Sequence, residues 1–288
     1  MKITGKTKIC VLLGYPLSHS LSPLMQNAAF SQSGLDYLYI PWEVKEDHLE
    51  RVVSALKGWE NFRGGNVTIP HKERILPFMD ELTSEARAIG AVNCFLLEKE
   101  RLIGDNTDGR GFLLSLREAG IEPEGKRVLI LGAGGASKAV AFSLAREGST
   151  FICLANRSME KAEVLASSLK GWFPSCRIEV ISLKDRKLLH LIRESDLIVN
   201  STPLGMKPQD PPLFDYELLT PFSFVCDLIY NPEKTPFLEA ARMAGCRTLG
   251  GLGMLLYQGA LSFQLWTGKE APLEAMRRAL IDALENQQ

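Results

Sequence analysis

The sequence predicts an α/β protein of two domains. Three observations carry this: a length of 288 residues, strand and helix patterns that alternate, and an alternation that restarts about a third of the way along. Hydrophobic residues make up 45% and charged residues 23%, a balance that builds folded cores and excludes a disordered chain. The formal charge of -1 gives no general pull towards nucleic acid or an acidic membrane, so any bound anion needs a local site.

In the first block, KICVLLGY reads as a buried strand. Ser22-Pro23 opens a helix, with serine as N-cap and proline at the first helical position, and Gly34 ends it. YLYIPWEV is a second strand, and EDHLERVVSALKG is an amphipathic helix with Leu49, Val52, Val53 and Leu56 on one face. NVTIP is a third strand stopped by Pro70, SEARAIGA a short helix, and CFLLEKERLIG a hairpin-like return. The second block begins near Asp108. RVLILGAGG is strand then turn, and ASKAVAFSLAREG is a helix closed by Gly148. TFICLANRS, RIEVISL, DLIVNST, SFVCDLIY and CRTLGG are further strands, so a parallel sheet with right-handed crossovers is expected. From Met254 onward there are two helical patterns, which periodicity alone assigns to neither block.

Six cysteines, most inside apolar runs and none in a CxxC pair, read as reduced structural thiols. The N-terminal apolar stretch is too short for a signal peptide and no run is long enough to span a bilayer, which points to the cytoplasm. His19, His48, His71 and His190 are scattered without ligand spacing, so no metal is expected.

Gly132-Ala133-Gly134-Gly135-Ala136-Ser137 follows a strand and opens a helix. Glycine at 132 permits the tight turn, glycine at 134 lets the backbone approach a pyrophosphate, and a small residue at 137 allows close helix–strand packing. The helix N-terminus offers N–H groups and a positive dipole end to phosphates. A glycine-rich connection without a ligand is the plainer reading, but the strand–turn–helix context is the one a dinucleotide (Rossmann-type) site needs. An acidic residue about 20 positions on would bind the ribose diol of NAD. This strand ends instead at Asn156-Arg157-Ser158, with Lys161 one turn later. Two cations at a helix start oppose the helix dipole, which makes sense if a 2′-phosphate lies between them. NADP is therefore expected over NAD, against a solvated basic patch with Glu160 as partner.

Asn66-Val67-Thr68-Ile69-Pro70-His71-Lys72 places polar residues at alternate strand positions and a lysine past a proline stop. Gly104-Asp105-Asn106-Thr107-Asp108-Gly109 is a polar loop at the domain handover, and both stretches can face a cleft between the domains. Reducing a ketone takes a hydride, a proton for the developing alkoxide and a shaped site. Lys72 can supply the proton, and a neighbouring carboxylate such as Asp108 would hold it charged and in place. Taken alone, Lys72 is an ordinary surface lysine and Asp108 a turn residue.

Together these stretches resemble the shikimate dehydrogenase family over nearly the whole chain. Pro16-Leu17-Ser18-His19-Ser20-Leu21-Ser22-Pro23 resembles its substrate-carboxylate motif, which implies that Ser18 and Ser20 bind the carboxylate. The stretch 66–72 implies Lys72 for catalysis and Thr68 for substrate contact. Gly90-Ala91-Val92-Asn93 with Asp105-Asn106-Thr107-Asp108-Gly109 implies Asn93 for substrate and Asp108 for catalysis. Asn200-Ser201-Thr202-Pro203-Leu204-Gly205-Met206 and Asp227-Leu228-Ile229-Tyr230-Asn231-Pro232 resemble cofactor-domain loops, implying Thr202 at the cofactor and Tyr230 at the substrate. The stretch 250–258 implies Gln258 for substrate, with Gly251 and Met254 lining the nicotinamide.

The resemblance implies a discontinuous catalytic domain of residues 1–107 and 251–288, an NADP-binding domain of residues 108–250, and a cleft that closes around ligand. The implied cofactor set is Gly132, Gly134, Gly135, Ala136, Ser137, Asn156, Arg157, Ser158, Lys161, Thr202, Gly251 and Met254. The implied activity is NADPH-dependent reversible reduction of 3-dehydroshikimate to shikimate, on the way to chorismate and aromatic amino acids, by a monomer or homodimer. Asn156-Arg157-Ser158 with Lys161 departs from the family's commoner threonine and second arginine but keeps hydroxyl and charge. His19 and His71 are not the family's catalytic groups. The alternatives are an NAD-dependent quinate/shikimate dehydrogenase, for which an aspartate in place of Ser158 would speak, and a non-catalytic NADP-binding regulator, which would have no need of both Lys72 and Asp108.

Overall fold

The computed structural model describes residues 2–286. The chain divides into two compact units, residues 1–111 with 255–288 and residues 112–254.

The first unit is built on a six-stranded sheet with the order β2-β1-β3-β5-β6-β4. Its strands are β1 (Lys8–Gly14), β2 (Tyr37–Glu43), β3 (Phe62–Val67), β4 (Glu81–Leu82), β5 (Cys94–Glu98) and β6 (Arg101–Asp105). β1 runs parallel to both β2 and β3, and β4 parallel to β6, whereas β5 is antiparallel to β3 and β6. The antiparallel insert follows from a two-residue turn, Lys99–Glu100, in which both residues have positive φ. That is the mirror-image turn whose twist suits a tight hairpin. Four helices accompany this sheet: α1 (Ser22–Gln32), α2 (Leu49–Leu56), α3 (Ser84–Ile89) and α4 (Asp108–Glu118), the last running into the second unit.

Two local expectations are corrected. α1 is capped by Leu21 with no side-chain cap bond, so Ser22 and Pro23 lie inside the first turn. The Ser22 amide is instead satisfied by the Ser20 hydroxyl at 3.3 Å. The third strand is FRGGNV and stops at Val67, because Thr68 already belongs to a turn closed by the His71 amide on the Thr68 carbonyl, 2.8 Å.

The second unit holds a parallel six-stranded sheet with the order β12-β11-β10-β7-β8-β9. The strands are β7 (Arg127–Leu131), β8 (Phe151–Asn156), β9 (Arg177–Ser182), β10 (Leu197–Asn200), β11 (Phe224–Asp227) and β12 (Arg247–Leu249). Interleaved with them are α5 (Gly135–Arg146), α6 (Met159–Trp172), α7 (Leu188–Glu194) and α8 (Pro236–Met243). This is the doubly wound order, with the strand sequence reversing between β7 and β10. β7 and β10 are buried along nearly their whole length, as strands covered on both faces must be. Leu129, Ile198, Val225 and Phe237 are central to the core.

The chain ends in α9 (Leu252–Thr267), whose first residues belong to the second unit, and α10 (Leu273–Glu285). α10 packs on α1, and Phe263 of α9 meets Phe30 of α1 with ring centroids 5.5 Å apart. Trp266 donates its indole N–H to the Phe95 carbonyl at 3.0 Å. The indole fits because position 64 is glycine: a Cβ there would stand 2.6 Å from the ring. The cysteines are free and buried, and burial pushes the Cys94 and Cys153 thiols up to about 12. No described helix is long and apolar enough to cross a membrane.

Gly111 of α4 is a point where the α9 backbone approaches closely: a Cβ there would lie 2.6 Å from the Gln258 amide nitrogen. Gly111→Ala is therefore expected to cost about 1–3 kcal/mol of stability through backbone displacement. Denaturant unfolding monitored by tryptophan fluorescence checks this, and an unchanged midpoint would show that the helices part freely.

Candidate active site

In the first unit the ends of β3, β5 and β6 deliver their polar residues to one place. The Lys72 ammonium donates to Asp108 Oδ2 at 2.5 Å, and these side chains are 16% and 5% exposed. Asp108 Oδ1 accepts from Asn93 Nδ2 at 2.7 Å. Asn93 is itself fixed, because its Oδ1 accepts the Thr107 amide at 2.7 Å. Its Nδ2 also lies 3.3 Å from Gln258 Oε1. The Asp108 amide donates to Asn106 Oδ1, and Asn106 Nδ2 to the Ala91 carbonyl. Lys72 is tied through its own carbonyl, which accepts the Val92 amide at 2.7 Å. The pair thus stands on three stretches of chain cross-linked by backbone and amide bonds.

Residues that the sequence did not single out complete the support. Asn66 Nδ2 donates to the Ser262 hydroxyl at 2.9 Å and to the Asn93 carbonyl at 3.1 Å, while its Oδ1 accepts the buried Tyr39 hydroxyl at 2.9 Å. Arg110 pairs with Asp105 and with Glu85, anchoring the loop before Asp108. Ser262 lies one turn beyond Gln258 on the same helix, so its presence on that face was readable; its partner 196 residues away was not. Of the other substrate candidates, Ser18 is exposed, and Ser20 and Thr68 are half-buried in the first unit. Tyr230 is half-buried in the second unit.

In the second unit the glycine turn lies after β7, at the point where the strand order reverses. Gly132 has φ 113°, and a Cβ on it would meet the Ser201 hydroxyl at 2.7 Å. The Ser201 hydroxyl donates to the Leu131 carbonyl at 2.6 Å, which leaves Ser137 as donor across the 2.6 Å Ser137–Ser201 contact. Ser137 Oγ accepts the Gly134 amide at 3.1 Å. Its small size is thus used for turn closure as well as packing. Gly134 is exposed with open space where a Cβ would point, and Gly135 and Ala136 begin α5, so a phosphate can reach the helix end. At the tip of β8, Asn156 Nδ2 donates to the Ser158 carbonyl. The Ser158 hydroxyl is not used as a cap, and Arg157 and Lys161 are exposed with no ion-pair partner among the described residues. The Glu160 pairing considered from sequence is not formed.

The loops after β10 and β11 share one buried hub. Asp227 Oδ1 accepts from Asn200 Nδ2 and the Ile229 amide, and Oδ2 from the Thr235 hydroxyl. Asn200 Oδ1 in turn accepts the Thr202 amide and hydroxyl. Gly251 abuts the same region: a Cβ there would sit 2.2 Å from the Leu228 carbonyl oxygen. Met254 is buried. Among the described residues no cluster of His, Cys, Asp or Glu could hold a metal ion.

A doubly wound unit with a glycine turn at its switch point, in one chain with a lysine–carboxylate centre, defines the class of nicotinamide-dependent dehydrogenases. Family models match at residues 12–95 (shikimate dehydrogenase substrate binding domain), 115–205 (shikimate / quinate 5-dehydrogenase) and 251–281 (shikimate 5'-dehydrogenase C-terminal domain). The NADP(+) shikimate dehydrogenase of Alkaliphilus metalliredigens is 44% identical over 97% of this chain and 98% of its own. The Listeria monocytogenes shikimate 5-dehydrogenase, solved with shikimate and NAD, superposes with TM-score 0.90 at 38% identity, covering 97% and 98% of the two chains. The Thermus thermophilus enzyme, solved with NADP(H) and shikimate, gives TM-score 0.85 at 37% identity over 96% and 100%. The chain belongs to the shikimate dehydrogenase family.

Burial raises the Asp227 carboxyl to about 6 against the three hydrogen bonds that favour its charged form. The folded state therefore holds more protons than the unfolded state between about pH 4 and 6, so this group's stabilisation is complete below that window and is lost as pH rises through it. The expected loss is on the order of 2–3 kcal/mol. Unfolding free energies of wild type and Asp227→Asn across the window test this: the variant should lack that component, and identical pH slopes would contradict the assignment.

Proposed function

We propose that this chain catalyses the NADP-dependent, reversible reduction of 3-dehydroshikimate to shikimate. The observation that carries the reading is the Lys72–Asp108 pair, with Asn93 on the second carboxylate oxygen, in a chain of this family. Bound NADPH supplies the hydride. The chain's own groups bind and orient the ring and manage one proton. Ser18 and Ser20 take the substrate carboxylate, and Thr68, Asn93, Tyr230 and Gln258 take its other polar groups. The Lys72 ammonium faces the ketone oxygen and gives its proton as negative charge develops there. Asp108 holds that ammonium in place, and because both its oxygens are occupied by donors it acts as a fixed charge. In the alcohol-to-ketone direction Lys72 takes the proton back.

The cofactor residues proposed are Gly132, Gly134, Gly135, Ala136 and Ser137 for the pyrophosphate, Asn156, Arg157, Ser158 and Lys161 for the adenosine 2′-phosphate, and Thr202, Gly251 and Met254 beside the nicotinamide. Arg157 offers a planar fork and Lys161 a point charge, with no acidic residue at the strand tip to repel a phosphate. Each chain carries the full set of proposed groups, whether it acts as a monomer or a homodimer, and the setting proposed is the cytoplasm.

Offered shikimate or quinate with NADP or NAD, the protein should reduce the nicotinamide fastest with shikimate and NADP. Quinate with NAD winning would overturn the assignment. Lys72→Ala should lose about 10²–10⁴-fold in kcat with little change in KM. Shikimate oxidation by wild type should quicken with rising pH, since the deprotonated amine is the acceptor. A profile flat from about pH 6 to about pH 10 would remove Lys72 from the proton step. Arg157→Ala should raise the KM for NADP about 10–100-fold, the worth of a charge-assisted phosphate bond, and leave that for NAD nearly unchanged. Equal effects on both cofactors would place the 2′-phosphate elsewhere.

A further inference from the structure

The two substrate stretches of the first unit both lean on the end of one edge strand. Glu43, the last residue of β2, accepts the Leu17 amide on its Oε1 at 2.7 Å, immediately before Ser18. Glu43 is exposed, so its burial contributes little and this hydrogen bond is its visible use. One residue on, the Val44 amide donates to the Gly14 carbonyl at 3.0 Å, which fixes the strand end beside β1. The Val44 carbonyl lies 2.6 Å from His71 Nε2. A carbonyl oxygen only accepts, so Nε2 carries the hydrogen and the ring is held in a single tautomer. His71 is fully buried, and its Nδ1 has no partner among the described residues, which makes the Val44 contact the ring's one hydrogen bond there.

His71 is also the hinge of the turn that presents Lys72. Its amide closes the turn on the Thr68 carbonyl, and its carbonyl accepts the Ile75 amide at 2.9 Å. The two stretches are stitched together by the Tyr15 amide on the Ile69 carbonyl, 3.0 Å, and the Thr68 amide on the Leu13 carbonyl, 2.9 Å. The ring therefore ties the lysine-bearing turn to the strand end that also holds the serine-bearing loop.

We propose that Glu43 and His71 are positioning residues: Glu43 sets the loop that carries Ser18 and Ser20, and His71, through the Val44 carbonyl, sets the turn that carries Thr68 and Lys72. The inference rests on the function proposed above. The two bonds act on different steps. A misplaced serine loop weakens substrate in ground and transition state alike and so moves KM. A misplaced ammonium spoils the proton transfer and so moves kcat.

The test is steady-state kinetics with shikimate and NADP on wild type, Glu43→Ala, Glu43→Gln, His71→Phe and His71→Gln. Glu43→Ala should raise the shikimate KM about tenfold with kcat within about twofold, and Glu43→Gln, which keeps the acceptor oxygen, should behave as wild type. His71→Phe keeps the ring's bulk but loses the donor, and kcat should fall about 100-fold, with a rise in KM of no more than about tenfold through Thr68 on the same turn. His71→Gln can donate from a similar position and should recover most of that loss. A Glu43→Ala variant with wild-type KM, or a His71→Phe variant with wild-type kcat, overturns the proposal. So does a glutamine variant no better than its partner variant, since bulk or fold would then be the cause. If His71→Phe does not fold, His71→Gln decides alone, a loss of more than about tenfold in kcat counting against the proposal. A wild-type chain inactive on shikimate with NADP overturns the functional reading itself, and the inference with it; active wild type with unresponsive variants overturns the inference alone.

Discussion

A carboxylate with both oxygens committed is the constraint on which the first unit's chemistry turns. Asp108 holds the Lys72 ammonium on one oxygen and the Asn93 amide on the other, at 5% side-chain exposure. A group so placed cannot rotate without leaving a buried donor unpaired, which typically costs about 1–3 kcal/mol and more where a charge is involved. The side chains behind it are committed in turn: Asn93 to the Thr107 amide, Asn66 to Ser262 and the Asn93 carbonyl, Tyr39 to Asn66. Rigidity there has a chemical use. A proton donor that must meet a developing alkoxide gains most from being held where the charge will appear, and loses most from small displacements.

The second unit solves a different problem by similar means. Its loops must be small and close to backbone, so glycine and serine carry them, and a buried aspartate replaces the rigidity that larger side chains would give. Asp227 ties the loop after β10, through Asn200, to the loop after β11, through Ile229 and Thr235. Three hydrogen bonds do not fully offset the desolvation of that carboxyl, which stays raised to about 6. A polar hub of this kind carries a desolvation cost and fixes one arrangement of the two loops.

Much of this was legible in the sequence, and the reasons are local. The Gly132–Ser137 turn declares itself because a strand, a φ-positive position and a helix start follow each other without a gap. Strand and helix patterns pointed to the parallel second sheet because its inner strands, β7, β8, β10 and β11, are nearly continuous apolar runs. The Lys99–Glu100 hairpin, which makes the first sheet mixed, has no glycine or asparagine to announce its turn, and only the apolar runs on either side suggested a return. The third strand was placed too late, since NVT reads as alternating when the extended FRGG before it offers no apolar pattern. Least readable were the long-range bonds. Asn66 with Ser262, Glu43 with Leu17 and His71 with Val44 depend on the register of strands and helices far apart in the chain, and no periodicity within one element reports it.

A crystal structure of the chain with shikimate bound tests most directly whether the Lys72–Asp108 pair meets the reacting group. The hydroxyl that is oxidised should lie within hydrogen-bond reach of Lys72 Nζ, with the ammonium still held by Asp108 and the ligand carboxylate at Ser18 and Ser20. Shikimate bound with that hydroxyl turned away from both Lys72 and Asp108, or with its carboxylate in their place, would contradict it.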